Sequence, residues 1–257
     1  SGRALEFDGV NDYVSLNDWK LGTGSVTIEF WLNTNSIHDG YIVGNRTSES
    51  AGGGNWFHIR TLAGGRVVWN FGATSNHAIT SNALYTPGTW QHFTFVRENN
   101  DYKIYVNGIL DKSEDDQNLR DLNVPSGNAL LGGWVNFNQR WFDGKLDELR
   151  VWNIPRSETD IQNNLFNNLS GNETGLLAYY PFAEGLGTTI VDRSLNTNVR
   201  HNFHGTTFQN SAVPILIIKL ISATTVNEKI LQTRITPSIL GKHVLPISYT
   251  FIGVKDN

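Results

Sequence analysis

Phe142-Asp143-Gly144-Lys145-Leu146-Asp147-Glu148-Leu149-Arg150-Val151-Trp152-Asn153 is the stretch that decides how the chain is read. Asp143-Gly144 is a turn dipeptide running into a strand. Leu149 and Val151 fall on one face of that strand, and Glu148, Arg150 and Trp152 on the other. Apolar residues on one side and charges on the other place the strand in a sheet with one buried face. The same alternation sends the neighbours Asp147 and Glu148 to opposite faces. Near the N-terminus, Phe7-Asp8-Gly9-Val10-Asn11-Asp12-Tyr13-Val14 begins the same way. The two Phe-Asp-Gly stretches are expected to meet in space, to close a β-sandwich and to bring several carboxylates together.

Outward from there, period two dominates. Val26, Ile28, Phe30 and Leu32 alternate with Thr27, Glu29, Trp31 and Asn33, which is a strand. Residues 56–60 and 66–71 form a hairpin around Ala63-Gly64-Gly65. Residues 89–98 and 102–106 form another, and Asn107-Gly108 turns the chain again. Strands are also expected over 130–134, 176–182 and 203–208, with a polar, Asn-rich stretch between the last two. One helix signal stands out: Ser157 as N-cap, Asp160 three residues on, and Ile161 and Leu165 at i, i+4. Gly171 is its expected end. About a dozen short strands with one short helix make an all-β, two-sheet antiparallel sandwich. After Pro214 the composition shifts. Residues 1–211 read as one domain, and 212–257 as a small β-rich C-terminal appendage or the start of a neighbouring domain.

Composition excludes several functions. The chain has 257 residues, a net charge of −4 and only 17% charged residues, so it lacks the basic footprint of a nucleic-acid binder. The longest apolar run, 213–221, is too short to span a bilayer and contains Lys219. Cysteine is absent, so no disulfide staples the fold. Methionine is absent too, which suggests a soluble fragment processed or excised from a longer protein.

Six motifs occur in order: Ala4-Leu5-Glu6-Phe7-Asp8-Gly9-Val10-Asn11-Asp12-Tyr13-Val14, Thr27-Ile28-Glu29-Phe30-Trp31-Leu32, Trp90-Gln91-His92-Phe93, Tyr105-Val106-Asn107-Gly108, the stretch 142–153, and Gly175-Leu176-Leu177-Ala178-Tyr179-Tyr180-Pro181-Phe182. Over about residues 4–210 the chain resembles the laminin G-like, concanavalin A-like jelly-roll family in its bacterial form. The resemblance implies two packed antiparallel sheets, one of them concave. It implies secretion or display at the cell surface and, commonly, a bound calcium ion. Relatives serve as carbohydrate-binding modules of polysaccharide-degrading enzymes, or sit in adhesins and large surface proteins.

Calcium takes six to eight oxygens. Asp8, Asn11 and Asp12 supply side-chain oxygens within one tight turn, and Asp147 is a candidate fourth ligand from the facing strand. The plain alternative is that these residues only form turns. For a sugar, the useful mix is aromatic faces with planar polar side chains. The segment with Trp134, Asn136, Asn138, Gln139, Arg140 and Trp141 offers it. So do Trp56, His58 and Arg60 on one strand face, with Trp69 on the next strand, and Asn45-Arg46 at a strand end. A glycosidase needs two carboxyl groups about 5–5.5 Å apart for retention, or further apart for inversion. No strand carries such a pair in alternation, and Glu29 stands alone on its strand. The expected function is a non-catalytic, lectin-like module for a polysaccharide or other glycan, with no nucleic-acid or membrane partner. The alternative is a calcium-stabilised adhesion module that binds another surface protein, and a glycan hydrolase ranks third.

Overall fold

The computed structural model describes residues 2–16, 19–45, 55–72, 76–116, 120–123, 129–133, 140–194, 200–210, 239–240 and 243–244. The backbone divides into two compact units, Ser1–Leu216 and Ile217–Asn257. In chain order the first unit holds β1 (Arg3–Asp8), β2 (Tyr13–Ser15), β3 (Val26–Thr34), β4 (Tyr41–Gly44), β5 (Trp56–Thr61), β6 (Val67–Gly72), β7 (Asn76–Thr80), β8 (Gln91–Glu98), β9 (Asp101–Val106), β10 (Ile109–Asp115), β11 (Leu130–Leu131), β12 (Asp143–Trp152), α1 (Glu158–Asn164), β13 (Leu176–Tyr180), β14 (Thr189–Val191), β15 (Arg200–His204) and β16 (Thr207–Asn210). In the second unit the described residues are β17 (Ile239–Leu240) and β18 (His243–Val244), paired antiparallel.

The first unit is a jelly-roll sandwich. One sheet runs β10-β9-β8-β3-β12-β1-β16, with β13 also paired to β12. The other runs β14-β15-β2-β11-β4-β5-β6-β7. The alternating residues of β3 and β8 do what their period demands. Val26, Ile28, Phe30, Leu32, Phe93 and Phe95 enter the core between the sheets, where they meet Phe57, Ile59, Trp69 and Phe71. Trp69 packs edge-on to Phe95 across the sandwich, with ring centroids 5.9 Å apart. Truncating a ring in such a core costs about 3–5 kcal/mol.

Among the strands the sequence reading missed are β7 and β14, and β10 runs on to Asp115, into a stretch (113–123) whose acidic, polar composition reads as a loop. β7 carries Asn76 and His77, and β14 sits inside the polar stretch with one buried apolar residue, Ile190. Neither shows an alternation strong enough to read; pairing with β6 and β15 makes each a strand. The segment 203–208 also divides into β15 and β16 around Gly205, which has a positive φ.

The quoted strand departs from simple alternation in the middle. Leu146 pairs with Leu32 and Asp147 with Trp31, but Arg150 pairs with Glu29. Three steps on β12 therefore match two on β3, which is a β-bulge. Glu148 carries it at φ 52°, an uncommon conformation for a side-chain-bearing residue. The extra residue lets Leu146 and Leu149 both reach the core. It also puts Asp147 and Glu148 on the same outer face, which overturns the expectation that they point apart.

That outer face is not solvated. The chain from Asn153 to Ser170 crosses it and buries Glu29, His92, Asp147, Glu148, Arg150 and Trp152. Ser157 and Asp160 form the capping box that starts α1, as the sequence indicates. Ile161 packs on Val96 and Tyr105. The helix ends at Asn164, well before Gly171, and the sheet supplies the reason. Arg150 Nη1 donates to Asn164 O (3.0 Å), Arg150 Nη2 donates to Asn167 O (2.7 Å), and Trp31 Nε1 donates to Leu165 O (3.2 Å). The orphan carbonyls of the last turn are thus satisfied from below. Arg150, only 1% exposed, also donates through Nη2 to Glu148 Oε2 at 2.8 Å, and its Nη1 lies 3.7 Å from Glu29 Oε1. Tyr179 donates to Glu148, Trp152 donates to Glu29, and the Arg156 guanidinium covers the Trp152 ring at 4.3 Å.

Two expectations follow. Arg150→Ala leaves Glu29 and Glu148 buried without their cation, which costs about 3–5 kcal/mol; a thermal melt should fall by roughly 10 °C or more. A fall of only a degree or two would show that the cluster does not hold the cover down. The second concerns His92, fully buried with Nε2 3.8 Å from Glu29 and Nδ1 3.3 Å from Thr94 Oγ1. Burial first, and Arg150 second, hold its pKa well below the usual 6.5, so it is neutral in the folded protein. The unfolded chain therefore binds the extra proton. Stability is fully present above about pH 6.5 and declines below it, by up to about 1.4 kcal/mol per pH unit. Denaturant melts between pH 7 and 5 should show this slope, and His92→Gln should flatten it. An unchanged slope in the variant would remove His92 as the cause.

Candidate functional site

The two Phe-Asp-Gly stretches do meet. β1 and β12 pair antiparallel with Phe7 opposite Gly144 and Asp8 opposite Asp143. Gly9 N donates to Phe142 O at 3.0 Å, and Phe7 and Phe142 pack edge to face beneath. Gly9 has φ 76°, and a Cβ there would lie 2.9 Å from Asp143 Cβ, so only glycine lets the strands approach this closely.

Above this junction lies an open cleft of about 580 Å³. Asp8 and Asp143 form its floor. Ser36, His38 and Asp39, from the connection between β3 and β4, line it too, as do Arg140 and Trp141. The segment 140–143 is tied down on all sides: Arg140 O accepts from Tyr41 N, Phe142 N donates to Gly132 O, and Asp143 O accepts from Asn35 N. The pair Gly132-Gly133 fits the rings around it. A Cβ on Gly132 would meet the Phe7 ring at 2.2 Å, and one on Gly133 would meet the Trp141 ring at 2.1 Å. Trp141 thus packs against the Gly133 backbone, half-buried, with Tyr13 at 6.5 Å; Tyr13 stacks in turn on His204 at 4.9 Å.

The polar groups are held in fixed roles. Asp143 accepts from Asn35 Nδ2 (2.7 Å) through one oxygen and from Ser36 Oγ (2.9 Å) through the other. His38 Nε2 accepts from Asp143 N at 3.0 Å, so Nδ1 carries the proton and donates to Ser36 O at 3.0 Å. Asp39 pairs with Arg60 Nη1 at 2.5 Å and faces Arg140 Nε at 3.9 Å. Aromatic face, carboxylates and guanidinium together can hold a polyhydroxylated ring: hydroxyls donate to the carboxylates while apolar C–H groups lie on the indole.

The sequence-derived residues distribute unevenly. Arg140 and Trp141 line the cleft, and Arg60 supports it through Asp39. Trp134, Asn136, Asn138, Gln139 and Arg46 lie outside the described residues. Trp56 and His58 are 5% and 1% exposed, stacked on each other with Tyr41 against His58. At that depth neither ring presents a face to a ligand. Trp69 is no neighbour to them: its register partner is Ile59, so it points into the core. Asn45 is likewise structural, accepting from Phe57 N and donating to Leu122 O.

The four-residue metal set does not assemble. Asp8, Asn11 and Asp12 share a turn, but their oxygens already shape it. Asp8 Oδ1 accepts from Val10 N at 2.8 Å, and Asp12 Oδ2 accepts from Asp8 N at 2.9 Å. Burial, with Asp8 and Glu6 nearby, raises the Asp12 pKa. Asp147 sits four positions along β12 from Asp143, on the face covered by the α1 segment. Among the described residues no group of three or more acidic, His or Cys side chains is placed to hold a metal. The cleft residues Asp8, Ser36, His38, Asp39 and Asp143 went unnoticed as ligand contacts in the sequence, where Asp8 and Asp143 read as metal ligand and turn former. The one signal was a polar run ending in Gly40 directly after a strongly alternating strand.

Solved structures share the architecture. A candidate carbohydrate-binding protein from Bacteroides ovatus superposes with a TM-score of 0.66 at 21% identity, over 84% of this chain and 62% of that one. This chain thus spans less than two thirds of that protein's length. A family 40 carbohydrate-binding module of a Ruminococcus gnavus sialidase, bound to α2,3-sialyllactose, gives 0.50 at 15% identity over 61% of this chain and 92% of that one. Domain 4 of an extracellular arabinanase from Geobacillus stearothermophilus, in complex with arabinotriose, gives 0.50 at 18% identity over 62% and 75%. A search of curated protein sequences returned no match. A laminin G-type family model matches residues 8–162, more than half of the chain. The protein therefore belongs to the concanavalin A-like lectin/glucanase superfamily.

Proposed function

We propose that this protein is a non-catalytic glycan-binding module, secreted or displayed at the cell surface as part of a larger protein, with its site in the cleft between Trp141 and Asp39. The carrying observation is Trp141, packed close against Gly133 beside three carboxylates and a guanidinium in an open groove. Neighbouring structures of the same fold that hold sialyllactose and arabinotriose support the ligand class. Asp8 and Asp143 lie opposite each other, as a hydrolase pair would. However, both Asp143 oxygens are already engaged by Asn35 Nδ2 and Ser36 Oγ, an arrangement that favours a fixed acceptor over a group that exchanges protons with a substrate. A glycan array should show binding by the wild type that Trp141→Ala reduces at least tenfold, since losing one stacked ring costs about 1.5 kcal/mol or more. Wild-type binding that survives the substitution would remove the cleft, and release of reducing sugar from a polysaccharide would overturn the non-catalytic reading.

The second reading, a calcium-stiffened adhesion module, has less behind it, because Asp8 and Asp12 spend oxygens on backbone N–H groups and Asp147 lies elsewhere. EDTA is expected to leave the melting temperature unchanged. A fall that added Ca²⁺ reverses would restore that reading through binding linkage.

A further inference from the structure

We infer that the cleft selects glycans without acidic groups, and that Asp8 is the residue that sets this preference. The inference rests on the glycan-binding reading above. Three carboxylates and one guanidinium line the groove, with Arg60 behind it. Asp39 occupies both cations, Arg60 at 2.5 Å and Arg140 at 3.9 Å. Asp8 and Asp143 are left facing the groove, opposite each other across the β1–β12 pair, and among the described residues no Lys or Arg lies within 4.0 Å of either. The partners of Asp143 are Asn35, Ser36 and the ring it meets through its own N–H, all uncharged. The partners of Asp8 are backbone N–H groups. Among the described residues no cation therefore offsets these two carboxylates, and both retain lone pairs for hydroxyl donors.

A neutral sugar brings only O–H donors to these oxygens and gains hydrogen bonds to charged acceptors. A uronate, sialate or sulfate brings a like charge. At about 4 Å in water each such pair is unfavourable by about 1 kcal/mol, roughly fivefold in affinity, and salt screens it because the groove is open. The Arg140 guanidinium cannot rescue an anion without giving up Asp39.

The test compares ligands that differ in charge at the carboxyl group: methyl-esterified pectin against polygalacturonate, and the methyl ester of 3′-sialyllactose against 3′-sialyllactose. Each is titrated at low and high salt with the wild type and with Asp8→Asn. The asparagine Oδ1 keeps the turn contact to Val10 N, so the substitution removes the charge and not the fold. The wild type should bind the neutral member of each pair at least fivefold more tightly, and high salt should narrow the gap. Asp8→Asn should weaken the neutral member, which loses a charged acceptor, and relieve the repulsion of the anionic one, so the ratio between the two affinities should fall several-fold. Equal or tighter binding of the anionic members by the wild type, or a gap that Asp8→Asn does not narrow, would overturn the inference while leaving the glycan site in place. Failure of these and all other glycans to bind would instead defeat the reading of the cleft itself.

Discussion

A buried guanidinium holds the sandwich in its final form. Arg150 lies near the middle of the first sheet and is closed off from water, yet its two terminal nitrogens reach two backbone carbonyls and two carboxylates. A charge at that depth is tolerable only when it is paired and its terminal nitrogens are hydrogen-bonded, as here, where among the described residues Nε alone goes without a partner. Meeting that condition requires Glu148 to turn inward at the bulge, α1 to stop at Asn164, and the chain after it to lie down over the sheet. Bulge, helix end and covering segment are thus three consequences of one requirement. Arg97 repeats the device at the rim of the core, where it donates to the carbonyls of Arg120, Gly22 and Gly24. In both cases a strand residue fixes irregular chain by capturing its carbonyls.

The covering segment also explains where a ligand can go. With the outer face of the first sheet closed, the space above the β1–β12 junction is open. The residues there come from three separated pieces of chain, brought together by strand pairing and by backbone hydrogen bonds to Gly9, Asn35, Tyr41 and Gly132. Glycine positions matter because the floor is backbone: Gly9 admits Asp143 and Gly133 admits Trp141. The groove is open and lined by polar groups, which on the proposed reading suits recognition of a soluble polyol better than chemistry requiring a dry pocket.

Much of this was legible beforehand. The alternation in β3, β8 and β12 identified the core face, and Asn107-Gly108 and Ala63-Gly64-Gly65 placed turns correctly. The capping box at Ser157 and Asp160 located the start of α1. The parallel between the two Phe-Asp-Gly stretches foretold their meeting. The errors have one character. Asp147 was placed with Asp8, Glu148 opposite Asp147, and Trp69 beside Trp56. Each inference assumed that a side chain's direction follows from its position along an unbroken strand, or that likely partners share a neighbourhood. One extra residue in β12 reverses direction for everything beyond it, and one step of register takes Trp69 into the core.

The sequence by itself determined the β class, the antiparallel sandwich and the family, because period-two patterning and turn dipeptides act over a few residues and need no partner to be read. It also singled out Arg140 and Trp141, which the structure places in the lining of the cleft. The tertiary structure alone decided which charges are buried and which face a groove. Glu29 and Glu148 look like surface acids and lie in the interior, while Asp8 and Asp143 look like turn formers and floor the cleft. The difference arises from what covers each face, and that depends on contacts between residues more than a hundred positions apart, such as Trp152 with Glu29 and Ser36 with Asp143.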